Sequence, residues 1–445
     1  MAARFHTVTS DQVRALAEGT NTAADLALLT SAEVSKCLAM LILIVRDAEA
    51  ARHPEADAAA ASWRLLARVQ SKAPAALAEL LRYPSVGAWA TGMTARQDGP
   101  GPSVSPGQLT LIAAATAIRG HVSCSLVLPP SAHDGAVVHL PSLGTAVLPW
   151  DSRRQEIALR HHHGVTEISG PFGRLQLPSR LDSDAPGWQG LRTVRAADGG
   201  QSLRLVVDDA DPFRLPRELR PAGRLSLAIR EEWHRRIAGG WRVLANGHQR
   251  TAAEVASIIR SVVPLAMRDG DMRSVTSRQV FGSFGLSLPA DDVQMALTLA
   301  HEVQHAKLSA LMDLVPLVTE PVAGGFYAPW RPDPRPLTSL LQGMYAHVEV
   351  ARFWRRHRLA ATGAAERWHA NVEFARWRNA CAQVADSLRG RPELTGCGAV
   401  FVDGMISALR AWQNDSIPPA AAAQADREIS EHKREWDAQR RASLK

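Results

Sequence analysis

The spacing of apolar residues along this 445-residue chain changes twice. In residues 1–100 apolar side chains recur every three or four positions, which predicts amphipathic helices. Between residues 110 and 225 short apolar runs alternate with turns that contain Gly and Pro, which predicts a β-rich region. Helical spacing returns in residues 226–415. The pattern predicts an α+β chain that is mainly helical, with a helical N-terminal region, a β-rich middle region and a helical C-terminal region.

Shorter segments carry expectations of their own. The helical spacing continues over residues 250–263, and the run 280–288 fits a strand. The charged tail, residues 416–445, is expected to form a solvated or frayed helix. Because consecutive side chains point apart, the triplet His161-His162-His163 is expected to be exposed polar sequence in a loop, without a metal.

Composition and charge narrow the class of protein. Hydrophobic residues make up 46% of the chain and charged residues 21%, which is ordinary for a globular protein. The length allows two or three domains. The formal net charge of +7 is modest for this length, so we expect no nucleic-acid partner.

The four cysteines, Cys37, Cys124, Cys381 and Cys397, are scattered along the sequence. Their spacing argues against a disulfide framework and favours a reducing compartment. We see no signal peptide, and the longest apolar run, Cys37–Val45, is too short to span a bilayer. We therefore expect a cytoplasmic protein without a membrane partner, in which this run belongs to a buried helix.

The sequence His301-Glu302-Val303-Gln304-His305 carries the strongest chemical signal. Histidines at i and i+4 lie on one face of a helix, so both imidazoles can reach one metal ion. Glu302 lies about 100° round the same helix and can act as a base or support the ligands. Unpaired imidazoles within an apolar stripe would be costly to bury. The sequence therefore predicts a metal-binding, zincin-like HExxH helix.

A metal site of this kind needs a third protein ligand. The longer HExxHxxGxxH pattern of some zinc peptidases is excluded, because Leu308 and Leu311 stand where its glycine and third histidine would lie. A glutamate on a following segment remains possible, and the candidates are Glu320 and Glu349.

The geometry of a helix predicted over residues 337–356 distinguishes between His347 and Glu349 as candidate ligands. At about 100° per residue from Met344, His347 falls on the core-facing stripe and Glu349 faces away from it. This geometry favours His347 as the third ligand. The alternative is that His347 is a buried structural histidine.

The segment between the two helices, residues 327–336, holds four prolines and two arginines, and we call it the arginine loop. Proline fixes the backbone, so we expect a rigid loop. Arg331 and Arg335 would form an anion clamp, because a guanidinium binds a carboxylate through two parallel hydrogen bonds. The alternative is a structural loop that is packed by Trp330 and salt-bridged through Asp333.

Three stretches of the sequence point to one enzyme family. They are Ala300-His301-Glu302-Val303-Gln304-His305-Ala306-Lys307-Leu308, Pro329-Trp330-Arg331-Pro332-Asp333-Pro334-Arg335-Pro336 and Gln342-Gly343-Met344-Tyr345-Ala346-His347-Val348. Over roughly residues 240–360 the chain resembles the HExxH-type, 2-oxoglutarate-dependent peptide β-hydroxylases that modify ribosomally made peptides in bacteria.

The resemblance implies an iron(II) enzyme that uses O₂ and 2-oxoglutarate to hydroxylate a β-carbon of a side chain in a precursor peptide. By position, His301, His305 and His347 would hold the iron, and Arg331 or Arg335 would bind a carboxylate of 2-oxoglutarate. A six-coordinate ion with three protein ligands keeps three positions open, which suits a bidentate 2-oxo acid and O₂.

Two alternatives remain at this point. Under the resemblance Glu302 handles a proton or supports a ligand, whereas in a zinc metallopeptidase it would be the general base. In that enzyme Glu349 or Glu320 would complete the metal site. The second alternative is a non-catalytic peptide-binding protein whose β-rich middle region binds a peptide by strand addition.

Overall fold

The structure is a computed structural model, and it describes residues 5–95, 104–129, 137–149, 157–215, 221–266, 273–319 and 325–443. Over these ranges it contains thirteen helices and three small sheets, and it is 57% helical. The mainly helical α+β class predicted from the sequence is confirmed at this level.

The helices, in chain order, are α1 (Ser10–Glu18), α2 (Ala23–Ala50), α3 (Ala56–Lys72), α4 (Pro74–Leu81), α5 (Pro84–Thr94), α6 (Gln108–Arg119), α7 (Leu227–Gly247), α8 (Gln249–Ile258), α9 (Asp292–Leu314), α10 (Leu337–Ala360), α11 (Ala364–Leu388), α12 (Gly396–Arg410) and α13 (Pro419–Ser443). The strands are β1 (Cys124–Leu128), β2 (Val137–Leu140), β3 (Gly144–Val147), β4 (Ile157–His162), β5 (Val165–Gly170), β6 (Gly173–Gln176), β7 (Trp188–Gly190), β8 (Arg192–Asp198), β9 (Gln201–Val207), β10 (Ser261–Pro264), β11 (Ser274–Thr276) and β12 (Ser283–Leu286).

The largest sheet joins strands that are distant in sequence. Its order is β11-β12-β10-β9-β8, with β10 parallel to both of its neighbours and the other pairs antiparallel. The two smaller sheets, β1-β4-β5-β6 and β2-β3-β7, are antiparallel. In the large sheet β11 lies at one edge, where it contacts helix α9.

Two hydrophobic cores hold these elements together. One is formed by α1, the start of α2, the large sheet and α7–α12. The other is formed by the rest of α2, α3–α6 and the two smaller sheets. Helix α2 contributes to both, with Leu29 in the first core and Leu41 in the second. Helices α3–α6 and the two smaller sheets therefore share one core, whereas α1 and strands β8 and β9 of the β-rich middle region belong to the other.

Helix α2 is the one helix in the described ranges that is long and apolar enough to cross a membrane, judged by length and composition. Of its most apolar window, 44% is buried inside the protein, and the helix packs against α3, α5 and α9. The run Cys37–Val45 lies within it. A buried core helix passes the same test, so this feature is weak evidence for a membrane span.

Helix α9 carries the HExxH sequence. Its N-terminus is capped by Asp291, whose carboxylate accepts the backbone N–H of Gln294 at 2.8 Å. Asp292 adds a second carboxylate in the first turn, where the helix dipole favours negative charge. The helix ends at Leu314, shortly before Pro316, which cannot continue it. It packs between α7, α8 and α10, so most of its surface is buried.

Two sequence expectations are wrong in the β-containing parts. Helix α8 ends at Ile258, and Ser261–Pro264 forms the central strand β10, because a fully buried strand shows no alternation that distinguishes it from a helix. His161 and His162 lie in strand β4, not in a loop, whereas His162 and His163 are exposed as expected. His161 is buried, with its Nδ1 atom 2.9 Å from Thr166 Oγ1.

The charged tail forms helix α13. The expectation that this helix is solvated is wrong for one of its faces, which is buried. Ala421 and Ala425 are fully buried against Val372 and Ala375 of α11. Small residues one turn apart allow two helices to approach closely. Trp436 near the other end of α13 is also buried.

A buried network of charges joins α8, α9 and α10. Lys307 of α9 is 1% exposed, and its ammonium lies 2.9 Å from Glu254 Oε1. Arg250 pairs with both Glu254 and Glu349. Because opposite charges are paired throughout, the cost of burying each of them is offset.

Glu349 is part of this network, so the expectation that it faces away from the core is wrong. It is 3% exposed, accepts a hydrogen bond from the Thr251 hydroxyl at 2.7 Å and pairs with Arg352 at 2.8 Å. Burial opposes ionisation, but Arg250 and Arg352 hold the pKa of Glu349 below its usual value. Helix α10 is enclosed on most sides, so a single apolar stripe does not mark its whole buried surface.

We expect Glu349→Ala to destabilise the fold by about 3–5 kcal/mol, because it removes a buried carboxylate that pairs with both Arg250 and Arg352. Urea unfolding followed by circular dichroism measures this loss. The control is Glu435→Ala, which removes an exposed carboxylate of α13 and should change stability by less than about 0.5 kcal/mol. Equal stabilities for the two variants would contradict the structural role of Glu349.

Candidate metal centre

Helices α9 and α10 bring three histidines of the sequence prediction together. His301 and His305 lie one turn apart on α9, with their Nε2 atoms 3.1 Å apart. His347 lies on α10, and the centroid of its ring is 5.0 Å from that of His301. The spacing of the HExxH sequence explains the first pair, and the packing of α10 on α9 adds the third ring.

Hydrogen bonds fix the tautomers of two of these imidazoles. His305 Nδ1 lies 3.2 Å from Gln342 Oε1, and His347 Nδ1 lies 2.8 Å from the Gly343 carbonyl oxygen. Both oxygens can only accept, so each Nδ1 carries the proton and each neutral ring keeps a lone pair on Nε2. The amide nitrogen of Gln342 donates to the Ser309 hydroxyl, which orients its oxygen towards His305. This is the arrangement that orients histidines as metal ligands.

The surroundings of His301 and His347 keep their imidazoles neutral. Burial and the neighbouring His305 lower the pKa of His301 to about 4. Burial, His301 and the charge of Arg376 lower the pKa of His347 well below its usual value. Neutral imidazoles are the form that binds metals. Without a cation, His301 Nε2–H can donate to His305 Nε2, and a metal ion requires the other tautomer of His301.

The separation of the first two nitrogen atoms fits a shared ion. Two nitrogen ligands at right angles, each about 2.1 Å from a metal, lie about 3.0 Å apart. The 3.1 Å between the Nε2 atoms of His301 and His305 is close to that value. In the described ranges no group of three His, Cys, Asp or Glu side chains is arranged to hold a metal as it stands. His347 must therefore move towards the pair to complete a three-histidine site.

Glu302 lies beside the histidine pair. It is 2% exposed, and its Oε1 atom is 4.0 Å from His301 Nε2, too far for a hydrogen bond. The Thr276 hydroxyl of strand β11 donates a hydrogen bond to its other oxygen. The edge of the large sheet thus fixes the carboxylate next to the site. Nothing local in the sequence indicated this role for Thr276.

Two indoles hold the His347 ring. Trp330 stacks on it with centroids 4.4 Å apart and planes 11° apart, and Trp377 of α11 lies 4.7 Å away. Gly343 makes room for the first contact, because a Cβ atom at this position would overlap the Trp330 indole. The sequence assigned Trp330 only a packing role in a loop and did not single out Trp377.

The stacking of Trp330 places the arginine loop beside the site. The loop is closed at its base by two backbone hydrogen bonds between Phe326 and Arg335, of 3.0 and 2.9 Å. Arg331 and Arg335 both bind the Asp333 carboxylate, at 3.0 and 2.9 Å. Their side chains are 53% and 31% exposed, so both keep donors for another anion.

Two further arginines, Arg278 and Arg376, differ in their distance from the site. Arg278 pairs with Asp313, two turns beyond His305 on α9, and is therefore engaged elsewhere. Arg376 lies on the Trp377 ring at 4.7 Å, which brings its charge close to His347. It also pairs with Glu428 at 3.4 Å. Only the packing of α11 on α10 could identify Arg376.

Of the two glutamates proposed for a peptidase site, Glu349 is engaged elsewhere. Glu349 lies two residues after His347, but its carboxylate is bound by Arg250, Thr251 and Arg352. Glu320 lies outside the described residues. All four cysteines are free thiols, and three of them are buried.

The chain was compared with family models and with curated proteins, and neither comparison found a match.

We expect His301→Ala or His305→Ala to abolish tight metal binding, because each removes one of two ligands on one helix. Metal analysis of the purified variants, after loading with iron(II) without oxygen, checks this. Full occupancy in either variant would contradict the assignment of these two residues.

The role of Gln342 is tested separately. Gln342→Leu removes the acceptor that fixes the His305 tautomer, and such losses lower metal affinity by about 10- to 100-fold. Titration with cobalt(II), followed by its visible absorption, measures the affinity. The control is Gln413→Leu, at an exposed position after α12, which should leave the affinity unchanged. An unchanged affinity in Gln342→Leu would mean that this hydrogen bond does not support the site.

Proposed function

We propose that this protein is an iron(II)- and 2-oxoglutarate-dependent oxygenase that hydroxylates a β-carbon of a side chain in a ribosomally made precursor peptide. The observation that carries the proposal is the group of three imidazoles on α9 and α10, two of which have Nε2 lone pairs fixed by hydrogen bonds at Nδ1. Imidazole ligands suit iron as well as zinc, copper and nickel, and the sequence resemblance supplies the choice of iron and the reaction class.

Bound iron(II) would supply the chemistry that uses O₂ and the 2-oxo acid to oxidise a C–H bond. The protein's own residues would hold and arrange the reactants. His301, His305 and His347 would hold the ion and leave coordination positions for the reactants. Trp330 and Trp377 would flank the His347 ring and exclude water from that side.

The arginine loop would bind the 2-oxoglutarate carboxylate that does not contact the metal. Arg331 and Arg335 both bind the Asp333 carboxylate, so the loop holds two guanidinium groups close to each other, which supports this role. Stacking of Trp330 on His347 keeps the loop next to the ligands. We further propose a cytoplasmic location, where the four thiols and iron(II) both stay reduced.

One observation favours a second candidate, a zinc metallopeptidase. Glu302 is buried next to His301 and held by Thr276, a position from which a general base could act on a metal-bound water. The described residues, however, provide no glutamate as third ligand, and the peptidase gives the arginine loop no role. The proposal therefore takes Glu302 as a residue that supports the ligands or handles a proton.

Metal content and co-substrate dependence distinguish the two candidates. The protein, purified and loaded without oxygen, should retain iron and consume O₂ faster when 2-oxoglutarate is added. Incubation with the precursor peptide should add one oxygen atom to its mass. Bound zinc with cleavage of the peptide would contradict the oxygenase and support the peptidase.

Substitutions in the arginine loop test its role. Arg331→Ala or Arg335→Ala removes a charge-assisted contact of about 1.5–3 kcal/mol, so the KM for 2-oxoglutarate should rise roughly 10- to 100-fold. Iron content should stay the same, and lysine should restore little, because it lacks the planar fork of arginine. Oxygen uptake at varied 2-oxoglutarate measures the KM.

Arg278→Ala is the matched control for these variants, since this guanidinium is held by Asp313 away from the loop. Its KM should equal that of the unaltered protein. If neither loop variant changes the KM, the loop does not bind 2-oxoglutarate, and Arg273 and Arg376 become the residues to test.

A further inference from the structure

Helix α13 reaches the arginine loop at the residue where the loop begins. Tyr327 Oη lies 3.0 Å from His432 Nδ1, and the Tyr327 ring meets the Trp436 ring edge to face, with centroids 5.3 Å apart. The ammonium of Lys433 lies over both rings, at 5.1 and 4.9 Å. Arg440 donates a hydrogen bond to the Gly325 carbonyl at 3.2 Å.

The hydrogen bond between Tyr327 and His432 has a defined direction. Burial raises the pKa of Tyr327 to about 12, so its hydroxyl keeps its proton. Burial and the charge of Arg376 lower the pKa of His432, so its ring is neutral. The tyrosine hydroxyl therefore donates to the Nδ1 lone pair, which sets the orientation of both rings.

Helix α13 is itself firmly attached to α11. Ala421 and Ala425 are buried against this helix, Glu428 pairs with Arg376, and Asp426 accepts a hydrogen bond from Asn379 at 3.0 Å. Helix α11 also carries Trp377, which contacts His347. The α11–α13 pair is thus connected to both indoles beside His347. Helix α11 carries Trp377, and α13 contacts the loop that carries Trp330.

The loop connects these contacts with the metal ligands. Its base is closed by the Phe326 and Arg335 backbone hydrogen bonds, and Arg391 lies over the Phe326 ring at 4.5 Å. Its tip places Trp330 on His347. Three residues separate Tyr327 from Arg331, so a shift of Tyr327 would be passed to both arginines.

We propose that His432 and Trp436 of α13 are positioning residues: through Tyr327 they hold the arginine loop against His347. The helix contributes no ligand to the metal. Its role is to fix the distance between the guanidinium groups of the loop and the three-histidine site. The role in fixing this distance rests on the proposed function, whereas the attachment of the loop by α13 does not.

Hydrogen–deuterium exchange tests the attachment on the full chain. The amides of Phe326 and Arg335 are hydrogen-bonded within the loop, so peptides that cover residues 325–336 report its closure. In His432→Ala and in Trp436→Ala these peptides should exchange about tenfold faster, because local opening becomes easier while the global fold is retained. Thermal unfolding verifies the fold of each variant.

Matched variants give the experiment its controls. Arg434→Ala removes a side chain of α13 that is 75% exposed and should leave loop exchange unchanged. His432→Asn keeps an acceptor near the tyrosine hydroxyl and should restore part of the protection. Tyr327→Phe, which removes only the hydroxyl, should loosen the loop in the same direction as His432→Ala. Unchanged exchange in His432→Ala, Trp436→Ala and Tyr327→Phe would overturn the proposal.

A second readout connects the attachment to catalysis. In His432→Ala and Trp436→Ala the KM for 2-oxoglutarate should rise about tenfold, with iron content unchanged and kcat at saturation altered much less. A loosened loop with an unchanged KM would confirm the attachment and contradict binding of 2-oxoglutarate by the loop. The failure of the proposed function is thereby separated from the failure of the positioning role.

Discussion

The packing of α10 against α9 is the constraint on which the rest of the site depends. It brings Gln342 to His305 and places His347 next to His301, so the two helices provide both the ligands and the hydrogen bonds that orient them. On the far side of α9 the buried charges of Lys307, Glu254, Arg250 and Glu349 link the same two helices through α8. Rotation of either helix would bury unpaired charge, which is costly.

Residues from other elements position the side chains that surround the candidate ligands. Strand β11 fixes Glu302 through Thr276, and α11 with α13 fixes the indoles that hold His347. The centre therefore lies where helices from the C-terminal region meet the edge of a sheet whose other strands come partly from the β-rich region. The groups near the candidate metal site are thus positioned by contacts from α10, α11, strand β11 and the arginine loop.

Local patterns in the sequence were enough to predict some of this arrangement. The i, i+4 spacing placed His301 and His305 on one face, and the helical stripe placed His347 towards them. The same stripe misplaced Glu349, because the charge that stabilises its burial comes from Arg250, 99 residues away. Thr276, Trp377 and His432 could not be predicted, since they reach the site only through long-range packing. The expectation of a solvated tail was wrong for the same reason. Charged residues dominate the sequence of α13, but its alanines and Trp436 lie on a face that packs against the rest of the protein.

The central claim is that three histidines and no glutamate hold the metal. A crystal structure of the iron-loaded protein, grown without oxygen and measured at the iron absorption edge, tests it most directly. The anomalous peak should lie within bonding distance of the Nε2 atoms of His301, His305 and His347, about 2.1 Å from each. A peak bound by Glu349 or another carboxylate in place of His347, or one remote from the histidine pair, would contradict the account.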